Sequence, residues 1–443
     1  MSVDGDMSRG GAEGDGPPKP SAGDGGAAAV GDTAAVIALV GETGRTLNRA
    51  SYPVSYSRVM MDQIARAYGV EAEYAVLPNL IMGVSKGDHR VAMLGPAGSF
   101  RFDQVVASQH EILLARRAAV PAADALASLQ RLERIPAPYP SWLRILGYVL
   151  MGIGVAGLFR MSIPAIVGAA VLGALAGVAL VAAGDRPNIA ALMPVLMTFC
   201  AALGVAWVSG LTGFDDPVRL AVVPAIALIP GAGLTASLIE LARGDMVSGS
   251  SRLIYSLTIV FSMAFGFAVA ISLVDLPTSQ LQGTGAAPTP AWVAWAGALV
   301  FVVGAAIYFC TPRSVLAASI IVPLIAFAVD QAVALAIPAT LAAGVATAVA
   351  LLLARIINGR AGGGPAVAVI FIPAFWLLVP TTLVFVSFTG LITDDRSLTS
   401  LGHDAIMTLL SMAVGILIVG LLPPLTRRMR EALASDDAGI EGR

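Results

Sequence analysis

Residues 222–240 read VVPAIALIPGAGLTASLIE, an apolar run long enough to cross a bilayer but broken in its middle by Pro224, Pro230, Gly231 and Gly233. In lipid, backbone groups freed by Pro230-Gly231 need partners other than hydrocarbon, so an unwound centre must face protein or a wet cavity. A similar run recurs at residues 369–388, VIFIPAFWLLVPTTLVFVSF. Both runs read as an apolar approach, a proline, a short apolar stretch, a second proline, then small or hydroxyl residues. The prolines stand six apart in the first (Pro224, Pro230) and seven apart in the second (Pro373, Pro380). Two interrupted crossings at corresponding places in two halves point to a transporter's binding site.

The composition agrees with a membrane location. Hydrophobic residues make up 57% of the 443-residue chain and charged residues 13%, with a mean hydropathy of +0.81. Soluble domains carry about a quarter charged residues. The net charge of -2 gives no reason to expect nucleic acid as a partner. Usage rich in Ala, Gly and Arg suggests a bacterial source. Cys200 and Cys310 fall in predicted spans, where small buried side chains are expected rather than a disulfide. His89, His110 and His403 have no metal-ligand spacing, and no metal or cofactor is expected.

The expected organisation is a polytopic α-helical membrane protein preceded by a small cytoplasmic α/β or α+β domain. Residues 1–31 are Gly, Ala, Pro, Ser and Asp with few large apolar side chains, and are expected to be a disordered tail. Residues 32–140 read as the soluble domain. Helices are expected at 32–49, 55–68, 102–118 and 121–135, and strands at 72–76, 80–84 and 89–94. Pro136-Ala137-Pro138-Tyr139-Pro140 then leads into the membrane.

Ten crossings are predicted, at about 143–160, 162–183, 188–209, 217–242, 252–274, 291–310, 313–330, 333–356, 365–391 and 403–423. The fourth and ninth are the broken ones. The membrane region then divides into a first five-helix repeat over 141–275, an external linker at 276–290, and a second five-helix repeat over 291–425. An odd number of crossings per half makes the two repeats inverted. Nine loop and tail arginines fall on one side (Arg186, Arg243, Arg252, Arg313, Arg355, Arg360, Arg427, Arg428, Arg430) and three on the other (Arg160, Arg219, Arg396). The arginine excess places both termini in the cytoplasm, in a bacterial inner membrane. The tail at 426–443 ends in Ile440-Glu441-Gly442-Arg443, a protease-site sequence set aside from functional reasoning.

Several segments resemble the threonine/serine exporter family. In the soluble part these are Tyr52-Pro53, Ser57-Arg58-Val59 and Ala67-Tyr68-Gly69-Val70, with the helix before the proline-rich exit. In the membrane part they are Leu228-Ile229-Pro230-Gly231, Ser248-Gly249, Arg252-Leu253, Ile372-Pro373 and Leu378-Val379-Pro380. Thr381 stands where the family commonly has Gly. The resemblance implies secondary active export of small hydroxy amino acids, L-threonine and L-serine, or of a dicarboxylate, and implies no enzyme.

A zwitterionic substrate would place its carboxylate at the start of the half-helix formed by Pro230, Gly231 and Gly233, where helix amides and dipole favour an anion. Thr235 and Ser237 add hydroxyls one turn in. Pro380, Thr381 and Thr382 would form the opposing wall. Proton coupling needs an intramembrane carboxylate, and Glu240 and Asp330 are the candidates. Arg252 and Arg313 read as snorkelling or topology-marking side chains. A weaker alternative is a membrane-anchored hydrolase using Ser55 or Ser57 with His89; serines at a helix start usually serve as caps. The expected partners are the small solute, protons and the bilayer, with homo-oligomerisation left open.

Overall fold

The computed structural model describes residues 25–50, 52–78, 80–85, 91–94, 99–184, 186–212, 217–274, 289–360, 366–379 and 396–422. Its N-terminal part is four helices around a small sheet: α1 (Gly25–Arg49), α2 (Val54–Ala67), α3 (Phe102–Arg116) and α4 (Ala122–Arg131). A 3-10 turn, Leu132–Arg134, follows α4. The strands β1 (Ala72–Leu77), β2 (Leu80–Ser85) and β3 (Val91–Leu94) form an antiparallel meander in the order β1-β2-β3. Leu77 pairs with Leu80, so two residues connect the first two strands. Antiparallel pairing makes this part α+β rather than a βαβ unit, which needs parallel strands and a crossover.

Val36, Leu39, Val40 and Leu47 recur at helical spacing on α1 and are all buried, together with Met61 and Ile64 of α2 and Val76 and Ile81 of the sheet. Gly44 permits the approach: a Cβ there would lie 2.7 Å from Met61 Sδ and 2.8 Å from Ile81 Cδ1. The helix starts at Gly25, seven residues before the expected start and inside the stretch expected to be disordered. Ala27, Ala28 and Ala29 explain the extension, since alanine has the highest helix propensity. Glu42 is buried on α1, 3.3 Å from Arg45 Nη1. Arg45 and Arg49 both reach Glu133, tying α1 to the 3-10 turn. Burial pushes the Glu42 carboxyl above the usual carboxylate range, against the pull of Arg45.

From Ser141 onward every regular element among the described residues is a helix. The helices are α5 (Ser141–Leu158), α6 (Ile163–Ala183), α7 (Pro187–Thr212), α8 (Pro217–Val222), α9 (Gly231–Ala242) and α10 (Met246–Val274). After them come α11 (Trp292–Tyr308), α12 (Arg313–Val333), α13 (Ala339–Arg360), α14 (Ala366–Leu378) and α15 (Arg396–Leu421). Six are long and apolar enough to cross a membrane, namely α5, α6, α10, α12, α13 and α15; shorter apolar helices lie at Ala191–Ala206, Trp292–Tyr308 and Val367–Leu378. Large apolar side chains such as Ile163, Leu175 and Phe265 are more than half exposed. An apolar surface of that extent belongs in lipid, and the chain is a multi-pass helical membrane protein.

The cut expected at Asp330-Gln331 falls later. α12 continues through Val333 and α13 begins at Ala339, after Pro338, so Asp330 sits in the last turn of α12 rather than between crossings. Pro373 does not interrupt α14. A proline cannot donate to the carbonyl four residues back. Ser319 Oγ, from α12, donates to that carbonyl, Val369 O, at 3.3 Å.

α5 and α11 run antiparallel with backbones in contact. A Cβ on Gly147 would lie 2.7 Å from Tyr308 N, one on Gly304 2.6 Å from Gly147 O, and one on Gly297 2.6 Å from Leu158 N. Small residues at such crossings substitute close van der Waals contact for a hydrophobic drive that lipid does not supply. α10 lies against α7 at Gly266, and α15 against α13 at Gly344 and Gly415.

Candidate functional site

The interrupted run at 217–242 is built from four pieces: α8, a 3-10 stretch Val223–Leu228, two non-helical residues Ile229 and Pro230, and α9. Pro224 enters the 3-10 stretch and Pro230 ends the irregular segment with φ -83° and ψ 44°. Two hydrogen bonds and a packed surround hold the disturbed backbone. Tyr148 Oη of α5, fully buried, donates to Pro224 O at 2.7 Å. Leu234 N donates to Pro230 O at 2.9 Å, closing the first turn of α9. Val223, Ala225 and Ile229 are buried against neighbouring helices. The unwound centre thus rests on protein rather than lipid.

α9 starts at Gly231 with no side-chain cap from Pro230. The first amides of any helix lack intrahelical acceptors, and the helix dipole adds a partial positive charge there. Gly233 holds α9 against α10: a Cβ on it would lie 2.6 Å from the buried Ser256 Oγ. Ser237 is buried, and its Oγ donates to Leu234 O at 2.6 Å, so the hydroxyl is turned onto its own helix. Thr235 lies on α9; its side chain, and Pro380, Thr381 and Thr382, lie outside the described residues. Pro230, Gly231, Gly233, Thr235, Ser237 and Glu240 therefore share the break and the helix that leaves it.

Glu240 lies in the last turn of this helix, fully buried. Its Oε2 lies 3.2 Å from Arg252 Nε on α10, and its Oε1 accepts from the Val54 amide of α2 at 3.1 Å. Arg252, read from the sequence as a snorkelling residue, is instead a counter-ion. α10 begins at Met246, so Arg252 sits in its second turn with a side chain only 16% exposed, packed beside α9. Sequence spacing offered one hint: the pair flanks the turn at Gly244, whose φ of +81° reverses the chain between the two helices. The Val54 contact joins residues 186 apart and had no local signal. Asp330 is remote in role from this cluster: its Oδ2 accepts from the neighbouring Gln331 Nε2 at 3.2 Å. Ser55 Oγ accepts from Arg243 Nη1 at 3.2 Å and Ser57 Oγ donates to Pro53 O at 3.3 Å, uses that fit helix-end bonding rather than a nucleophile. His89 lies outside the described residues.

The arrangement sets a helix start without a side-chain cap behind an irregular, protein-packed segment, and a paired, buried carboxylate near the other end of the same helix. A family model described as "Putative threonine/serine exporter" matches residues 38–274, more than half of the chain, covering the N-terminal part, the break and the Glu240–Arg252 pair. Comparison with curated proteins and with solved structures gave no match.

Proposed function

The chain belongs to the threonine/serine exporter family, and from that premise we propose that it is a secondary active transporter that exports L-threonine, L-serine or a closely similar solute, coupled to protons. The observation that carries this reading is the helix start at Gly231, set behind the Ile229-Pro230 interruption. Half-helix N-termini at the bilayer midplane meet anionic substrate groups. The α-carboxylate of the amino acid takes this place, and the glycines let it approach the backbone. On this reading Thr381 and Thr382 supply hydroxyls from the second proline-interrupted run.

The alternation between outward and inward access follows from two inverted five-helix halves. Three packing relations support that plan. The first helices of the two halves, α5 and α11, cross antiparallel at paired glycines. The third and fifth of each half, α7 with α10 and α13 with α15, lie side by side. The second helix of each half bonds or packs against the fourth, as α6 does with the 3-10 stretch and α12 with α14. Glu240 is the proposed proton carrier because it is the buried carboxylate on the half-helix that leaves the break, with Asp330 second. Both termini lie in the cytoplasm of a bacterial cell on this reading, with export across the inner membrane.

Purified protein in vesicles tests the proposal. Threonine or serine efflux that follows an imposed proton gradient and collapses with an uncoupler is the expected result. Dicarboxylate flux without amino-acid flux would move the substrate class, and flux of neither would refute transport of these solutes.

A further inference from the structure

Two helices of the N-terminal part bond their first amides to the membrane helices; α2 has no cap of its own, and α3 adds a capping bond from Arg101 N to Gln104 Oε1 at 3.0 Å. α2 begins after Pro53, which has no side-chain cap, and has no acid in its first turn. Its first amide, Val54 N–H, is bonded by Glu240 of α9 at 3.1 Å. α3 begins after Arg101, and its first amide, Phe102 N–H, donates to Phe309 O at the end of α11 at 2.9 Å. The Val54 bond therefore falls on the helices before residue 275 and the Phe102 bond on those after it, where Tyr52, next to Pro53, also meets the Ala368 backbone of α14. Around the first contact, Arg243 Nη1 reaches Ser55 Oγ at 3.2 Å and Arg58 Nη2 reaches Asp245 Oδ1 at 3.8 Å.

The two attachments differ in kind. The α3 contact is cemented by aromatic stacking: Phe102 on Phe309 at 5.3 Å and Phe309 on Trp376 of α14 at 4.5 Å between ring centroids. Separating it would expose a large apolar area. Beside an apolar contact of Tyr52 and Tyr56 in the core that includes Val369 of α14, the contact of α2 with α9 is polar. Water can replace each of its bonds, and Glu240 keeps Arg252 at 3.2 Å when α2 leaves, so no buried charge is stranded. Stacked rings hold the α3 side, and polar bonds that water can replace hold α2 to α9.

We propose that the N-terminal α+β unit is a clamp across the membrane region, anchored on α11 through Phe102 and gripping α9 through Val54 and Ser55, and that solute transfer requires α2 to let go of Glu240 and Arg243. The transport half of this inference rests on the exporter reading; the clamp itself rests on the two helix ends. Closed, the clamp fixes the inner end of the half-helix whose outer end receives the solute.

The test uses the full chain in vesicles, with Cys200→Ala and Cys310→Ala and with Ser55→Cys and Arg243→Cys introduced. A short bis-thiosulfonate bridges the new pair. Bridging is expected to lower threonine or serine flux at least tenfold, with recovery on reduction; a bridged protein that transports as fast as the unbridged one overturns the proposal. A second measurement is independent of any solute. Glu240→Ala should raise hydrogen exchange of the Val54–Ser57 amides about fivefold, the loss expected when a helix cap is removed, while α4 amides stay unchanged. That result supports the clamp even if no tested solute is carried, in which case only the exporter reading fails. Unchanged exchange at the start of α2 overturns the clamp.

Discussion

The crossing of α5 and α11 makes a sharp quantitative demand on Gly304. A Cβ there would sit 2.6 Å from Gly147 O, 2.6 Å from Met151 N and 2.8 Å from Leu150 Cβ. Carbon contacts are comfortable at about 3.5–4.0 Å, so Gly304→Ala asks the helices to part by roughly 1 Å. Two of the three obstacles are backbone atoms and cannot rotate aside. Forcing a methyl group into a packed interior costs about 1–3 kcal/mol, and the upper end applies here. The displacement also loosens the contacts at Gly147 and Gly297 along the same crossing. Gly204 of α7 is the control: nothing lies within 4 Å of an added Cβ, and alanine is the better helix former by about 1 kcal/mol in water. In thermal unfolding of detergent-purified protein, Gly304→Ala should melt several degrees lower and Gly204→Ala no lower than the parent. Equal melting of Gly304→Ala and the parent would refute the close backbone crossing.

Other outcomes follow from the polar contacts. Glu240→Ala leaves Arg252 without its counter-ion and should cost about 3 kcal/mol, whereas adding Arg252→Ala should recover part of that loss; a double variant less stable than the sum of the singles would contradict the pairing. Tyr148→Phe removes the donor to Pro224 O in the 3-10 stretch and should lower stability by about 1–3 kcal/mol, visible as an earlier melt; an unchanged melt would mean that the bond supports nothing. Glu42 has a raised carboxyl pKa because it is buried. The fold therefore favours its protonated form. That contribution is complete below the unfolded carboxyl pKa, about 4.3, and is lost as pH rises through the raised value. The stability of the parent relative to Glu42→Gln should fall from acid to neutral pH, and a rise would contradict the burial.

Local pattern was enough for most elements. The amphipathic spacing of Val36, Leu39, Val40 and Leu47 located α1, and glycine and proline placed the helix ends. The interruption at Pro230 was legible because proline and glycine have few other reasons to meet in an apolar run. Less local facts were not. The start of α1 moved because alanine propensity extends a helix into a segment whose composition otherwise reads as solvated. The passage of α14 through Pro373 depends on Ser319, 54 residues earlier, accepting the task of bonding Val369 O. Arg252 looked like a span-end arginine because its partner, Glu240, is across a helix turn. Val54 gave no hint at all: its role resides in a backbone amide, and backbone amides are the same at every residue except proline.

The central claim is that the helix start at Gly231 receives the carboxylate of the solute. Equilibrium binding of L-threonine and of L-threonine amide to the purified protein tests it most directly. A charge-assisted hydrogen bond is worth about 1.5–3 kcal/mol, so the amide should bind at least about tenfold more weakly than the acid. Equal affinity for the two would contradict the claim.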